Sequence, residues 1–397
     1  MSTLTEHRKS EPLRFTLEQQ AKLKELFHAE ITPAENGLVR VTPGSRAGAV
    51  VLDGDHVVVE PKVPLPRIVH MLTVAVCPLD WRTAEVKGLQ AVSIEDAVVQ
   101  LFARSCQQAF AAGLYRSYRT EEQRLAFVRG RIRIGEYLRD PRPLPVPVTA
   151  TVHDEDVAEN QVLAAAVQKI RLLPGLPDGT RAELARVWQV VGEVTPLAGD
   201  VALDECRRIV WSRHNSHYQA PVRLAELILD SSSLKVTAGK VQVPGFILDM
   251  PRIVEQYVRV LVRDALGASE HDMRDSWRGA LWLDEGRRVQ LIPDLGMRRA
   301  GRWRFVGDVK YKVNAGPSDQ TGAGRREDLY QLLAYVTETG LEEGTLIYAG
   351  DRAGEVEHTV RGTGERLRVI SVNLGAEDCD RQVMSAVLAG RQRPPSC

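Results

Sequence analysis

The stretch RRVQLIPDLGMRRAGRWRFVGDVKYKV, from Arg287 to Val313, decides the fold of the region that carries chemistry. Its two halves alternate apolar and polar residues around Arg299-Ala300-Gly301-Arg302, and this pattern predicts a β-hairpin. Side chains on a strand alternate between its faces, so Asp308 and Lys310 must project from the same face. The hairpin therefore predicts an acid and a lysine side by side.

The length of the turn decides which residue of the first strand lies opposite Asp308. A three-residue loop, Ala300 to Arg302, sets Asp294 directly opposite Asp308, whereas a two-residue loop sets Asp294 opposite Gly307. We expect the three-residue loop, or a β-bulge at Pro293 or Gly307 that restores the same pairing. In either case both carboxylates share one face of the sheet.

Two carboxylates and a lysine on one sheet face need an explanation. Like charges about 4 to 5 Å apart repel unless a cation or a proton lies between them. Mg²⁺ binds oxygen ligands and retains waters, so one carboxylate from each strand and a backbone carbonyl would leave positions for a phosphate oxygen and an attacking water. Lys310 would orient or deprotonate that water, or neutralise charge on the phosphorane. The alternative is a solvated hairpin whose charges face water.

Two segments with helical periodicity add polar residues near this hairpin. In DLYQLLAY, residues 328–335, Gln331 and Tyr335 are four apart and lie on one helix face, where they are candidates for contacting a nucleic-acid backbone or holding the lysine. FILDMPRIVEQYVRVLVRDAL, residues 246–266, predicts a helix opened by Pro251, with Glu255 near its start. Taken singly, each of these polar residues is better explained as surface or core.

The sequence upstream predicts mixed α and β structure. We expect a short amphipathic helix within residues 14–30, a small antiparallel sheet between 38 and 63, and a longer helix from the Ser93 cap to near Gly113. Four prolines in residues 140–147 indicate a stiff connector and a domain boundary, and helical periodicity follows from Val157 to Leu229. The predicted fold class is α/β, in three parts: an α+β domain at 1–145, a helical connecting region at 146–240 and an α/β domain at 241–397.

Charge, cysteine content and missing motifs limit the class of protein. Lys+Arg and Asp+Glu are each 52, so the net charge is zero and any nucleic-acid site must come from local clustering. The five cysteines include no CxxC pair, which indicates a reducing compartment and no zinc ribbon. The sequence has no GxxxxGK[ST] phosphate loop, so another chain must supply any nucleotide hydrolysis. A charged N-terminus and the lack of a long uncharged stretch predict a cytoplasmic protein without a membrane span.

Basic residues supply the local clustering that a nucleic-acid site requires. They crowd the hairpin and its flanks, as neutralising DNA phosphates demands. The alternative is that these charges prevent an exposed edge strand from pairing with another chain. The residues are Arg287, Arg288, Arg298, Arg299, Arg302, Arg304 and Lys312.

As an ordered set, these motifs resemble those of the PD-(D/E)xK nucleases, in the branch with a Q-x-x-x-Y helix. More narrowly, the sequence resembles the McrC family, the nuclease subunits of the McrBC restriction systems that act on 5-methylcytosine DNA. The matching segments are FILDMPRIVE (246–255), IPDL (292–295), DVKYK (308–312) and DLYQLLAY (328–335). With weaker matches upstream, the resemblance covers most of the chain.

The resemblance implies a restriction-endonuclease-like α/β domain with a mixed sheet, and a role for each matched residue. Asp294 and Asp308 would be ligands of Mg²⁺, or of Mn²⁺ in its place, with the Val309 carbonyl as a further ligand. Lys310 would be the catalytic lysine and Glu255 an accessory acid. Gln331 and Tyr335 would be the supporting pair.

The resemblance also implies that the protein acts as a subunit of a complex. The chain would associate with an McrB-like AAA+ GTPase, stimulate its GTP hydrolysis and cleave modified double-stranded DNA, and GTP would bind only the partner. The region up to about Arg139 would dock on the partner ring, and dimerisation would run through the nuclease domain. Two alternatives stay open: a non-catalytic activator of the AAA+ partner, and a stand-alone RecB-like nuclease. The intact Asp294, Asp308 and Lys310 favour the nuclease subunit.

Overall fold

The computed structural model describes residues 2–76, 91–231, 245–274, 276–312 and 323–391. Its strands are β1 (Ser2–Thr5), β2 (Glu30–Pro33), β3 (Val39–Thr42), β4 (Arg46–Leu52), β5 (Asp55–Glu60), β6 (Ser117–Leu125), β7 (Arg131–Ile132), β8 (Val146–Asp154), β9 (Gly245–Asp249), β10 (Leu281–Trp282), β11 (Gln290–Leu291), β12 (Leu295–Arg299), β13 (Arg302–Tyr311), β14 (Glu343–Gly350), β15 (Gly354–Thr359) and β16 (Arg366–Asn373). Its helices are α1 (Leu17–Phe27), α2 (Leu65–Val76), α3 (Ile94–Ala109), α4 (Ile134–Arg139), α5 (Ala158–Ile170), α6 (Asp178–Val191), α7 (Gly199–Arg208), α8 (Gln219–Ser231), α9 (Met250–Ala265), α10 (Ala323–Thr339) and α11 (Cys379–Arg391).

The chain packs as two compact units, residues 1–86 with 247–397 and residues 87–246. Their boundaries differ from those of the three predicted domains, and the predicted limit at residue 240 lies outside the described residues. The expected boundary at the prolines of residues 140–147 is not a boundary in the structure. The reason is that β8, which begins within them, pairs with both β6 and β7, so the chain on either side of the prolines shares one sheet.

The first unit contains a five-stranded mixed sheet in the order β12-β13-β14-β16-β15. Strands β13, β14 and β16 run parallel, whereas the two edge strands are antiparallel to their neighbours. The helix α10 packs on this sheet through a cluster that includes Val306, Leu332, Val336, Leu346 and Val369. Parallel strands covered by helices are what an α/β domain requires, so the predicted fold class and mixed sheet are confirmed.

The N-terminal segment belongs to the same unit. The predicted antiparallel sheet is confirmed for β4 and β5, but β3 pairs with β2 in a separate ribbon. The strand β9 joins the edge of β4, in the order β1-β5-β4-β9. The predicted helix opened by Pro251 is confirmed as α9, which begins after the Asp249 cap, whose side chain accepts from the Arg252 N–H. Residues 246–249 of the predicted segment lie in β9 instead and extend the sheet.

The helices α2, α9 and α11 meet at Asp380. Its carboxylate accepts from Tyr257 Oη at 2.5 Å and lies 2.8 Å from His70 Nε2. Burial alone would raise the pKa of Asp380, but the hydrogen bonds from His70 and Tyr257 outweigh it and hold that pKa at about 2. Side chains far apart in sequence thus tie residues 65–76 to the C-terminal part of the unit.

The second unit combines helices with a small sheet. The helices α5 to α8 confirm the predicted helical region from Val157 to Leu229, and α3 begins at the predicted Ser93 cap. The sheet has the order β6-β8-β7, with a core of Val146, Val148 and Ala150. Within the described part of the chain, every helix is too short or too polar to cross a membrane.

Candidate active site

The hairpin closes with a two-residue turn, so the predicted three-residue loop is wrong. Ala300 and Gly301 have φ of 51° and 77°, the left-handed conformation of a type I′ turn, and Arg299 pairs with Arg302. A plain two-residue turn would have set Asp294 opposite Gly307.

A β-bulge restores the expected pairing. The register shifts between Met297 and Arg298, which pair with Phe305 and Trp303, so Arg304 is the extra residue. Beyond it Leu295 pairs with Gly307, and the same register continued by one residue sets Asp294 opposite Asp308. The bulge lies at Arg304, and the predicted positions, Pro293 and Gly307, are wrong.

Gly307, the residue before Asp308, lets β13 approach β14 closely. A Cβ at this position would lie 2.5 Å from the backbone oxygen of Thr345, closer than real contacts allow. The glycine is therefore required by the spacing of the two parallel strands, and it fixes where Asp308 emerges.

The structure brings Asp294, Asp308 and Lys310 together. Lys310 Nζ lies 2.5 Å from Asp308 Oδ2, and Asp294 lies close enough for its charge to raise the pKa of Asp308. The Val309 N–H donates to Asp294 Oδ2 at 3.0 Å, which fixes that carboxylate against β13. The alternative of a hairpin whose charges all face water is excluded, because Asp308 is only 1% exposed.

The electrostatics of this trio disfavour two adjacent negative charges. Burial, and next the charge of Asp294, raise the pKa of Asp308. Burial works against the ammonium of Lys310, yet Asp308 raises the pKa of that lysine. Both carboxylate oxygens of Asp308 are buried and accept no hydrogen bond of ordinary geometry, despite the Lys310 contact. Buried oxygens that accept no hydrogen bond destabilise a fold unless a bound ligand interacts with them.

A hard divalent cation fits these oxygens. In the ranges that the structure describes, no three His, Cys, Asp or Glu side chains converge, so two carboxylates would have to be supplemented by backbone oxygen and water, which Mg²⁺ accepts. Extended by two residues, the hairpin register sets Val309 opposite Pro293. Proline has no N–H, so Pro293 cannot donate a hydrogen bond to the Val309 carbonyl oxygen. The carbonyl expected as a ligand thus lacks that competing hydrogen bond.

Glu255 lies near Asp294 and is held by an arginine. Arg259, one turn further along α9, contacts the Glu255 carboxylate and donates from Nε to the Asp294 backbone oxygen at 3.2 Å. Burial and then the charge of Asp294 raise the pKa of Glu255. Sequence reasoning missed Arg259; its only signal was the spacing of four from Glu255.

Gln331 and Tyr335 support the loop that carries Asp294. Gln331 Nε2 donates to Tyr335 Oη at 2.6 Å, and Tyr335 Oη donates to the Ile292 backbone oxygen at 3.1 Å. Tyr335 is 2% exposed, so its predicted contact with a nucleic-acid backbone is wrong. The hydrogen bonds run to the I-P-D segment rather than to the lysine.

A second lysine, just beyond the end of β13, is held by the helix that carries Gln331. Lys312 Nζ donates to the buried Asp328 carboxylate at 2.6 Å, and Tyr348 Oη donates to the same oxygen at 2.6 Å. Of the predicted basic cluster, Arg299 pairs with Asp272 at 3.2 Å. Arg287, Arg288, Arg302 and Arg304 are exposed.

Comparison with known proteins gives one family and a shared fold. The sequence matches the family described as McrBC 5-methylcytosine restriction system component over residues 41–349. The comparison with curated proteins gave no match. Among solved structures, 98% of the chain aligns with 99% of a chain in a half-complex from a tetradecameric assembly of Thermococcus gammatolerans McrB AAA+ hexamers with bound McrC, at a TM-score of 0.53 and 17% identity. A chain of the Thermococcus gammatolerans McrBC complex aligns over 67% of this chain and 88% of its own, at a TM-score of 0.43 and 19% identity.

Proposed function

This chain belongs to the McrBC 5-methylcytosine restriction system component family, and on that premise we propose that it is the nuclease subunit of such a system. It hydrolyses phosphodiester bonds of methylcytosine-containing double-stranded DNA, with Mg²⁺ at Asp294 and Asp308. The observation that carries the proposal is the buried Asp308, whose two oxygens lack ordinary hydrogen bonds beside Asp294 and Lys310.

Three groups of this chain would hold the ion: the carboxylates of Asp294 and Asp308 and the carbonyl of Val309. When bound, Mg²⁺ polarises a phosphoryl oxygen and lowers the pKa of a water. Mn²⁺, which prefers the same oxygen ligands, would substitute.

The protein residues have separable tasks. Lys310, with its ammonium against Asp308, would donate to a phosphate oxygen as negative charge grows there, or hold the nucleophilic water in line. Gln331 and Tyr335 position Asp294 through a hydrogen bond to the Ile292 carbonyl. Arg259 positions Asp294 by donating to the backbone carbonyl of Asp294 itself. Glu255 is an accessory acid whose charge Arg259 offsets.

The second unit offers a surface for the AAA+ partner. Several large apolar side chains are exposed between residues 127 and 144, an arrangement typical of protein interaction sites. They are Phe127, Val128, Ile132, Ile134, Leu138 and Leu144. A partner of the McrB type is the occupant we propose, because a chain of the same fold is bound to McrB AAA+ hexamers. GTP would then be bound and hydrolysed by the partner alone, under stimulation by this surface.

Cleavage and GTP hydrolysis should separate in variants of the nuclease site. Asp308→Ala or Lys310→Ala should abolish Mg²⁺-dependent cleavage of methylated DNA by the assembled complex, while assembly and GTP turnover remain. Cleavage at the wild-type rate by Asp308→Ala would overturn the assigned site. Wild-type protein that stimulates GTP turnover but never cuts would favour the non-catalytic activator, and cutting without any partner would favour a RecB-like nuclease.

The docking surface is tested by a matched pair of triple variants. Phe127→Ser, Ile134→Ser and Leu138→Ser together should abolish stimulation of partner GTP turnover. The control, Leu17→Ser, Val289→Ser and Leu388→Ser, changes the same number of exposed apolar side chains in the first unit and should leave stimulation intact. Equal stimulation by the two triple variants would refute the docking surface.

A further inference from the structure

The first unit has a cavity at the end of the catalytic strand, walled by the N-terminal segment. Its volume is about 610 Å³. The N-terminal wall comes from the residues that follow β1 and from Lys62, and the other wall is Tyr311 with Lys312, the two residues after Lys310. Along the chain, the cavity lining therefore begins at the residue that follows Lys310.

The lining is rich in positive charge. Arg8, Lys62 and Lys312 are its basic side chains, with His7 beside them, whereas Glu6 is its one carboxylate. Lys312 is held by Asp328, as described above, and Arg8 is exposed. Lys62 Nζ lies 4.5 Å from the centroid of the Tyr311 ring, which holds the ammonium at the cavity wall.

Glu6 lies behind these cations and organises them. It is 1% exposed, and its Oε2 accepts from Tyr311 Oη at 2.8 Å and from the Lys62 N–H at 3.2 Å. Its Oε1 is buried without a hydrogen bond and lies 3.7 Å from His7 Nε2. Glu6 thus holds the aromatic ring and the loop of Lys62, and the cavity lining has three basic side chains to one carboxylate, with Asp328 and Asp351 facing Lys312 and Lys62 from outside the lining.

We infer that this cavity is a phosphate-binding subsite for the DNA strand that is cut, and that the N-terminal segment grips DNA through Arg8 and Lys62. The two residue steps of extended chain from Lys310 to Lys312 span about 7 Å. This distance equals about two base-pair rises of 3.4 Å along a DNA strand. A strand held with one phosphate at Lys310 therefore passes the cavity within one or two nucleotides. The inference rests on the proposed nuclease function, and it gives residues 1–63 a role in DNA binding rather than in docking the partner.

The test compares two double variants that remove the same charge. Arg8→Ala with Lys62→Ala removes the cavity cations, and Lys9→Ala with Lys24→Ala removes two exposed lysines of the same segment that do not line the cavity. Binding of the assembled complex to a methylcytosine-containing duplex is measured against salt concentration, with Ca²⁺ in place of Mg²⁺ to prevent cutting. Losing one phosphate contact should reduce the slope of log K against log salt by about 1.

The cavity variant should show the reduced slope, and the control should match the wild type. Arg8→Lys with Lys62→Arg keeps both charges and should restore the slope, which separates a charge effect from damage to the fold. A wild-type slope for the cavity variant would overturn the inference, as would a loss of partner association at unchanged slope. Failure of the proposed function is distinguishable, because then even the wild-type complex would not cut DNA in Mg²⁺.

Discussion

Arg259 gives the sharpest test of how the site is held together. Its guanidinium is 7% exposed and joins the Glu255 carboxylate to the Asp294 backbone oxygen. Removing one partner of a fully buried ion pair costs about 3 to 5 kcal/mol, and because the Glu255 side chain is 33% exposed we expect Arg259→Met to cost about 2 kcal/mol. For a unit of this size that lowers the melting temperature by roughly 4 to 8 °C.

The activity of the variant should fall further than its stability explains. A carboxylate ligand displaced by about 1 Å can cost about 100-fold in rate, so single-turnover cleavage by the complex at 25 °C, well below melting, should drop by about that factor. Adding Glu255→Gln removes the unpaired charge and should recover most of the stability, but cleavage should stay far below that of Glu255→Gln alone, because Asp294 still lacks its donor. This double variant separates folding from positioning.

The control is Arg263→Met, one turn further along α9. Arg263 pairs with Asp264 and with Glu270, which is 56% exposed, so its loss should cost at most about 1 kcal/mol and leave cleavage unchanged. If Arg259→Met melts and cuts like the wild type, the argument that Arg259 positions Asp294 is refuted.

Three further predictions follow from individual contacts. Tyr335→Phe leaves the Ile292 carbonyl without its donor and should cost roughly 1 to 3 kcal/mol in thermal melting; an unchanged melting temperature would contradict this. Gly130→Ala sets a Cβ 2.3 Å from Thr149 O at φ +85°, so it should distort the small sheet and abolish stimulation of partner GTP turnover, which full stimulation would disprove. The pKa of Asp380 is about 2 folded and about 3.9 unfolded, so its ionised form stabilises the fold by roughly 2 kcal/mol above about pH 4, and this is lost as the pH falls towards 2. Asp380→Asn should therefore lower the melting temperature at pH 7 and have little effect near pH 2; an equal effect at both would refute the assignment.

The sequence predicted the order of chemical groups along the chain better than their local geometry. The alternation in the hairpin was enough to set Asp308 and Lys310 on one face, because side-chain direction on a strand has a fixed period. The turn was missed because Ala300-Gly301 lacks the asparagine or aspartate that usually marks a type I′ turn. No local sequence pattern marks the bulge at Arg304 either, because the bulge corrects the strand register that the preceding two-residue turn sets.

Contacts between distant segments were beyond the sequence patterns. The pairing of β4 with β9 and the hydrogen bond from Tyr311 to Glu6 join residues 1–60 to the C-terminal part of the first unit. Neither leaves a periodic trace, because each depends on where two separate elements meet. For the same reason a run of prolines that is typical of a linker turned out to lead into β8, a strand of a sheet.

The most direct test of the central claim is binding of Mn²⁺ to the full-length chain, followed by electron paramagnetic resonance of the free ion. The wild type should take up Mn²⁺, Asp308→Asn should lose that uptake, and Glu255→Gln should retain it because Arg259, rather than an ion, offsets Glu255. Mn²⁺ uptake by Asp308→Asn with wild-type affinity would contradict the account.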